Sequence, residues 1–170
     1  MRDTRFYESI EKFVITEDCF QNNDVSFIDK DGLQHYLENK EYMTYLSLIT
    51  EVIAKGHTIK LEQFEYFTNN PENELFNLLS KLYNTVDITA HAFYNQENSG
   101  TFDIHTDPVD VWIQCWAGVK HLEVDGKEVV LYPHEVTHIP ANTPHRALNT
   151  EKALMVSYGI HDTETLNSLR

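Results

Sequence analysis

The stretch GTFDIHTDPVDVWIQCWAGVK, residues 100–120, decides how this chain is read. A polar, turn-forming segment, Asn95–Gly100, leads into it. It then passes into Val111–Trp116, rich in β-branched and aromatic residues, which reads as a strand. His105 and Asp107 stand two positions apart just before that strand. In an extended chain residues i and i+2 point to the same side, so this imidazole and carboxylate project together. His145 is the third ligand of the set. The intervening span accommodates about four strands, and antiparallel sheets bring such distant positions side by side. Two imidazoles and one carboxylate can cap one face of an iron(II) ion and leave positions open for a cosubstrate and oxygen. Taken alone, His-x-Asp is a weak signal in a chain with nine histidines.

Past this stretch the strand texture continues. Lys120, Leu122 and Val124 share one face of a strand, and His121 and Glu123 take the other. A lysine on the more apolar face is costly unless an anion pairs with it. The alternative is a stem lying along the sheet with its ammonium in water at the strand end; parity leaves both open. Asp125-Gly126 is a type I′ hairpin signal into Lys127–Leu131. Val136–Pro140, Ala147–Leu148 and Leu154–Ile160 supply further strands. Upstream, Val86, Ile88, Ala90, Ala92 and Tyr94 alternate. Turn signals every 8–12 residues therefore mark about eight short strands after Asn84.

The first half reads differently. Residues 1–30 mix aromatic and β-branched residues with little clear period and read as a short helix or strand. From Asp31 to Ala54 the pattern is helical, with Leu46, Ile49 and Ile53 on a stripe that Leu37, Tyr42 and Val52 widen, and Gly56 ends it. Ile59–Phe67 is strand-like or irregular. Asn70 can cap a further helix, with Pro71 at its first position and Glu72 and Glu74 at its positive end. Leu75, Leu78, Leu79 and Leu82 form its apolar stripe. The expected organisation is one α+β domain: a helical N-terminal cover (1–84), a β core closing into a barrel or sandwich (85–161), and a short terminal helix (162–170).

Composition narrows the function. The 170 residues suit one domain and can bury a core without disulfide staples. Cys19 and Cys115 are far apart and in no metal spacing, which fits reduced thiols. The opening MRDTRFYESIEKF lacks an apolar signal core and no stretch approaches a transmembrane length, so a cytoplasmic location is expected. A net charge of -14 disfavours nucleic acid and anionic membranes as direct partners and is compatible with a basic protein or peptide. A homodimer is allowed by the sequence and not required by it.

Two neighbourhoods make the ligand set more specific. Pro140-Ala-Asn-Thr-Pro-His145-Arg-Ala-Leu-Asn149 resembles the second cupin motif, PxGxxHxxxN, with Asn142 in place of Gly. Asn tolerates positive φ, so the departure is mild. The first cupin motif matches less well. Asp107 stands for its second His, and its Glu falls near Val111, one residue from Asp110. This disfavours a four-ligand cupin and favours a His-x-Asp…His oxygenase.

With Ala90-His-Ala-Phe-Tyr94 added, the segment resembles the core of the JmjC-type ribosomal oxygenases, iron(II)/2-oxoglutarate hydroxylases on a double-stranded β-helix. The matching elements are G-x-F-x-x-H-x-D-x-x-D-V-x-x-Q-x-x-G-x-K and, later, P-x-x-x-x-H, over about residues 86–160. The resemblance implies a cupin-type jelly-roll barrel in which His105, Asp107 and His145 bind Fe(II). It implies that Lys120 pairs with the distal carboxylate of 2-oxoglutarate. Oxidative decarboxylation of that cosubstrate by O2 would drive hydroxylation of an unactivated C–H bond. Where the family carries Asn and Tyr near the cosubstrate, this chain has His91 and Phe93. His91 can still donate a hydrogen bond, Phe93 cannot, and Tyr94 or Ser157 are the residues that could compensate.

Four further histidines, His121, His134, His138 and His161, are rival ligand candidates but read as surface or hydrogen-bonded residues, with His138 sharing the inward parity of Val136. Trp112 and Trp116 share one face and read as core or as a contact with the helices. Arg146 points away from His145 and reads as structural. The expected activity is hydroxylation of a protein or peptide side chain, an amino acid or a small metabolite. The alternatives are a metal-dependent cupin dioxygenase that does not use 2-oxoglutarate, and a non-enzymatic cupin-like binding domain.

Overall fold

The computed structural model describes residues 25–37, 50–52, 54–62, 64, 74–85 and 87–161. Ten strands and one long helix are described: β1 (Val25–Ile28), β2 (Gln34–Tyr36), β3 (Thr58–Leu61), α1 (Glu74–Leu82), β4 (Ile88–Asn95), β5 (Asp110–Gly118), β6 (Lys120–Val124), β7 (Lys127–Leu131), β8 (Val136–Ile139), β9 (His145–Ala147) and β10 (Ala153–Ile160). They form a seven-stranded sheet, ordered β2-β1-β3-β4-β10-β5-β8, and a three-stranded sheet, β7-β6-β9. A single antiparallel bridge pairs His105 with His145 and adds the His105 segment beside β9.

Numbered in chain order from β4, with the His105 segment second, the core strands run 1-8-3-6 in the large sheet and 5-4-7-2 in the small one. That antiparallel order is a jelly-roll, the double-stranded β-helix expected from the sequence. Local chemistry explains its corners. Asp125 and Gly126 both have positive φ (49° and 75°), as the predicted I′ hairpin requires. Gly118 ends β5 at φ 72°, where a Cβ would lie 2.0 Å from the Lys152 carbonyl oxygen, so only glycine fits.

Alternation along the large sheet buries different residues on its two faces. One face, with Ala90, Ala92, Tyr94, Trp116, Leu154 and Val156, packs on α1 through Leu75, Phe76 and Leu79. The other, with Val111, Ile113, Cys115 and Met155, closes on Leu122 and Leu131 of the small sheet. Trp112 and Trp116 lie on the helix-covered face, as expected, and Trp112 donates its indole N–H to Tyr83 Oη just after α1. Asn84, at φ 50°, closes α1 with a Thr85 N–H bond to the Ser80 carbonyl.

The first half departs from the expected helical cover. Residues 50–52 and 54 are helical, and His57 N–H caps onto the Val52 carbonyl around Gly56 (φ 71°). Gln34–Tyr36, inside the stretch read as helix, is instead a strand paired with β1. The strands β1, β2 and β3 extend the large sheet beyond β4. Available backbone partners on that sheet edge outweighed a helical periodicity carried mainly by residues farther along. The α1 stripe is also shifted: Leu78 and Leu82 are exposed, and Leu75, Phe76 and Leu79 are buried. The expectations for residues 1–24 and 38–49, for the cap at Asn70, Pro71 and Glu72, and for the terminal helix at 162–170 lie outside the described residues.

Candidate metal centre

Main-chain pairing brings the three proposed ligands together. His105 and His145 exchange both backbone bonds, N–H to carbonyl at 3.0 and 2.9 Å, so their side chains leave the same face. His145 also pairs with Val124 in the small sheet. The Asp107 carbonyl accepts the Asn142 N–H at 2.7 Å, tying the two ligand-bearing segments a second time. Asn142 has φ 63°, the left-handed conformation expected at the glycine position of the motif.

Ligand atoms of His105, Asp107 and His145 lie within 4.8 Å of one another. Each imidazole has its Nδ1 against a carbonyl: His105 with Asp103 at 2.8 Å, His145 with Thr143 at 2.8 Å. A carbonyl only accepts, so both Nδ1 atoms carry hydrogen, and Nε2 is the atom left for a metal. His145 Nε2 lies 3.1 Å from Asp107 Oδ2. That contact pulls the Asp107 pKa down and the His145 pKa up, each against the opposing effect of burial. His145 is buried, whereas His105 is exposed and Asp107 is half-exposed, so the cluster opens to solvent on one side. Two imidazoles with Nδ1 engaged and Nε2 turned to the cluster, with one carboxylate, fit a divalent transition metal with open positions.

The cluster lines a cavity of about 590 Å³ between the sheets. Lys120, at 1% exposure, also lines it. Its ammonium donates to Asn95 Oδ1 at 3.0 Å and Asn149 Oδ1 at 2.5 Å. The two amide nitrogens are turned away, Asn95 to the Gln96 and Glu151 carbonyls and Asn149 to Gly100. Burial lowers the Lys120 pKa to about 7. Of the two placements that parity left open, Lys120 takes the inward one, and its side chain does not snorkel.

His91 and Phe93 face the same cavity from β4. Ser157, paired with His91 across β10, lines it too. Tyr94 does not compensate for Phe93: it packs in the opposite core and its hydroxyl accepts from Gln96. Asn95 and Asn149 were not singled out from sequence. Asn95 shares parity with His91 and Phe93, and Asn149 is the final Asn of the quoted cupin motif, so both had a signal. Lys60 is a further cavity residue that was missed; it sits 5.8 and 5.7 Å from the ring centroids of Phe93 and Phe102.

The other histidines stay outside the cluster. His138 does not point inward: it stacks on Trp112 at 4.6 Å on the outer face and contacts Asp110. His121 sits between Glu128 and Glu151, and His161 contacts Thr89. Arg146 pairs with Glu123, its cross-strand neighbour, facing away from His145 as expected. Asp110, adjacent to the missing cupin Glu, accepts from main chain and outer-face side chains.

No protein family and no curated protein matches the chain. Solved structures do resemble it. One is a conserved protein of unknown function, SPY1581, from Streptococcus pyogenes, at 17% identity and TM-score 0.42, over 45% of this chain and 66% of that one. Another is a cupin 2 conserved barrel domain protein from Leptotrichia buccalis, at 24% identity and TM-score 0.41, over 44% and 36%. A third is salicylate 1,2-dioxygenase from Pseudoaminobacter salicylatoxidans, at 10% identity and TM-score 0.42, over 48% and 22%. This chain therefore spans less than two thirds of the length of each of these three. Likenesses this weak carry nothing about activity, and the fold rests on the strand pairing itself. Among the described residues, no helix is long and apolar enough to cross a membrane.

Proposed function

We propose that this chain is an Fe(II)/2-oxoglutarate-dependent hydroxylase. In this reading His105, Asp107 and His145 hold the iron, Lys120 receives the distal carboxylate of the cosubstrate, and His91 and Ser157 flank it. The bound metal would supply the redox chemistry that couples O2 to oxidation of 2-oxoglutarate and of a C–H bond. The chain's own residues would orient both organic molecules.

One observation carries the choice of a dicarboxylate. Lys120 is a fully buried cation in the cavity of the ligand cluster, and its side-chain partners are two neutral amide oxygens. Isolated buried charge is unfavourable, and an ammonium has three donors, so one N–H remains for an incoming carboxylate. Such a ligand would restore the charge of a lysine that burial has brought close to neutrality.

A second reading is favoured by the same cage. The short bond to Asn149 links Lys120 to the loop after β9, so it could be a structural lysine in a metal-dependent cupin that does not use 2-oxoglutarate. Anaerobic addition of Fe(II) and then 2-oxoglutarate separates the two. The first reading expects a visible charge-transfer band that needs both additions and is lost in Lys120→Ala and in His145→Ala. Iron binding without response to 2-oxoglutarate supports the second. Protein that takes up no iron overturns both and leaves a non-enzymatic binding domain.

A further inference from the structure

The turn that delivers His145 to the cluster is held from the far side of the large sheet by Asp110. Both carboxylate oxygens are engaged. Oδ1 accepts the main-chain N–H of Ala141 at 3.0 Å. Oδ2 accepts from Tyr83 Oη at 3.1 Å and lies 3.0 Å from His138 Nε2. Tyr83 Oη in turn accepts the Trp112 indole N–H at 3.0 Å, and the His138 ring stacks on Trp112 with planes 17° apart. Asp110 is thereby oriented by three side chains from three segments: the end of α1, β5 and β8.

What it holds is one residue from the link between the ligand segments. Ala141 is followed by Asn142, whose N–H bonds the Asp107 carbonyl, and by Thr143, whose carbonyl takes the Nδ1 hydrogen of His145. Asp110 itself follows Asp107 by three positions in the chain. From the outer face, the Asp110 carboxylate thus ties the Pro140–Thr143 turn that carries both the Asn142 link to the Asp107 segment and the carbonyl on His145 Nδ1.

We infer that Asp110 is a positioning residue for the metal centre: through Ala141 it presets the Asp107–His145 geometry, with Tyr83, Trp112 and His138 as its brace. It touches neither metal nor substrate. The inference rests on the three ligands being those proposed above. Hydrogen-bonding groups just outside a metal's ligands change affinity by about tenfold to a hundredfold when removed, and an effect of about tenfold is expected here.

The test uses cobalt(II) alone as the probe, followed by its visible absorption, with melting of the metal-free protein recorded alongside. Asp110→Ala should weaken cobalt affinity about tenfold and alter the band shape. Asp110→Asn keeps an oxygen for Ala141 and should recover most of the affinity. Tyr83→Phe removes part of the brace, leaves the Ala141 bond, and should fall between. Amide hydrogen exchange over residues 140–147 should rise in Asp110→Ala and return in Asp110→Asn. If Asp110→Ala proves unfolded, the comparison of Asp110→Asn and Tyr83→Phe with the unaltered protein decides.

Cobalt affinity unchanged in Asp110→Ala overturns the inference and leaves the metal centre standing. So does loss of affinity in Asp110→Asn as deep as in Asp110→Ala. Failure of the unaltered protein to bind cobalt overturns the metal centre and, with it, any positioning role.

Discussion

Lys120 is the residue on which the proposed 2-oxoglutarate chemistry turns, and the predictions of that proposal follow from charge. Its pKa lies at about 7 because burial disfavours the ammonium. A carboxylate ligand needs that ammonium. Affinity for 2-oxoglutarate should therefore fall as pH rises above about 7, and binding at pH 8 should take up a proton. Calorimetry of manganese-loaded protein in buffers of different ionisation enthalpy checks both. Lys120→Met should lower that affinity a hundredfold or more, as expected when a desolvated charge pair loses a partner, while manganese binding is retained. The spacing of His105 to Asp107 marked it as a candidate ligand, a weak signal until its neighbours were read. The preset tautomer of His105 was not legible there, because that depends on the Asp103 carbonyl returning to Nδ1.

At the scale of elements, turns and parity were the most legible features and the N-terminal half the least. Asp125-Gly126 and Asn142 declare their backbone conformations through residue type. Gly118→Ala, forced into positive φ with its Cβ against the Lys152 carbonyl, should cost more than about 1 kcal/mol in urea unfolding. On α1, Leu79 is fully buried, and Leu79→Ala should cost about 2–5 kcal/mol. Leu78→Ala, at 60% exposure, should change stability by less than about 0.5 kcal/mol. This contrast separates the observed stripe from the one drawn by leucine spacing. The spacing misled because Phe76 and Leu75 rotate the buried face away from Leu78 and Leu82, and leucines alone do not report where the sheet lies. Gln34–Tyr36 was misread for a related reason: a three-residue strand has no period of its own and exists because β1 is beside it.

For the whole molecule, the cluster and the buried lysine link stability to metal and to pH. A metal that binds only the folded chain stabilises it by mass action, by about 2.7 kcal/mol at one hundred times its dissociation constant. Cobalt(II) should therefore raise the melting temperature, and His145→Ala should abolish the rise. The pH effect has a definite sign. Lys120 loses its proton near pH 7 when folded, against 10.5 for an ordinary exposed lysine. Between those values the unfolded chain binds more protons, so this group makes stability increase with pH across that window. The difference in melting temperature between the parent protein and Lys120→Met, followed from pH 7 to 9.5, isolates that contribution. The strand-rich second half, the hairpin corners and the shared side of His105 and Asp107 were written in the chain, because alternation, positive-φ residue types and i, i+2 spacing are local properties. Folding in three dimensions settled that three early strands extend the large sheet, that Asn95 and Asn149 cage Lys120, that His145 meets His105, and that Asp110 bonds the Ala141 N–H. Those outcomes depend on hydrogen bonds between segments distant in the chain, and a donor's partner across such a distance is set by how the sheets close.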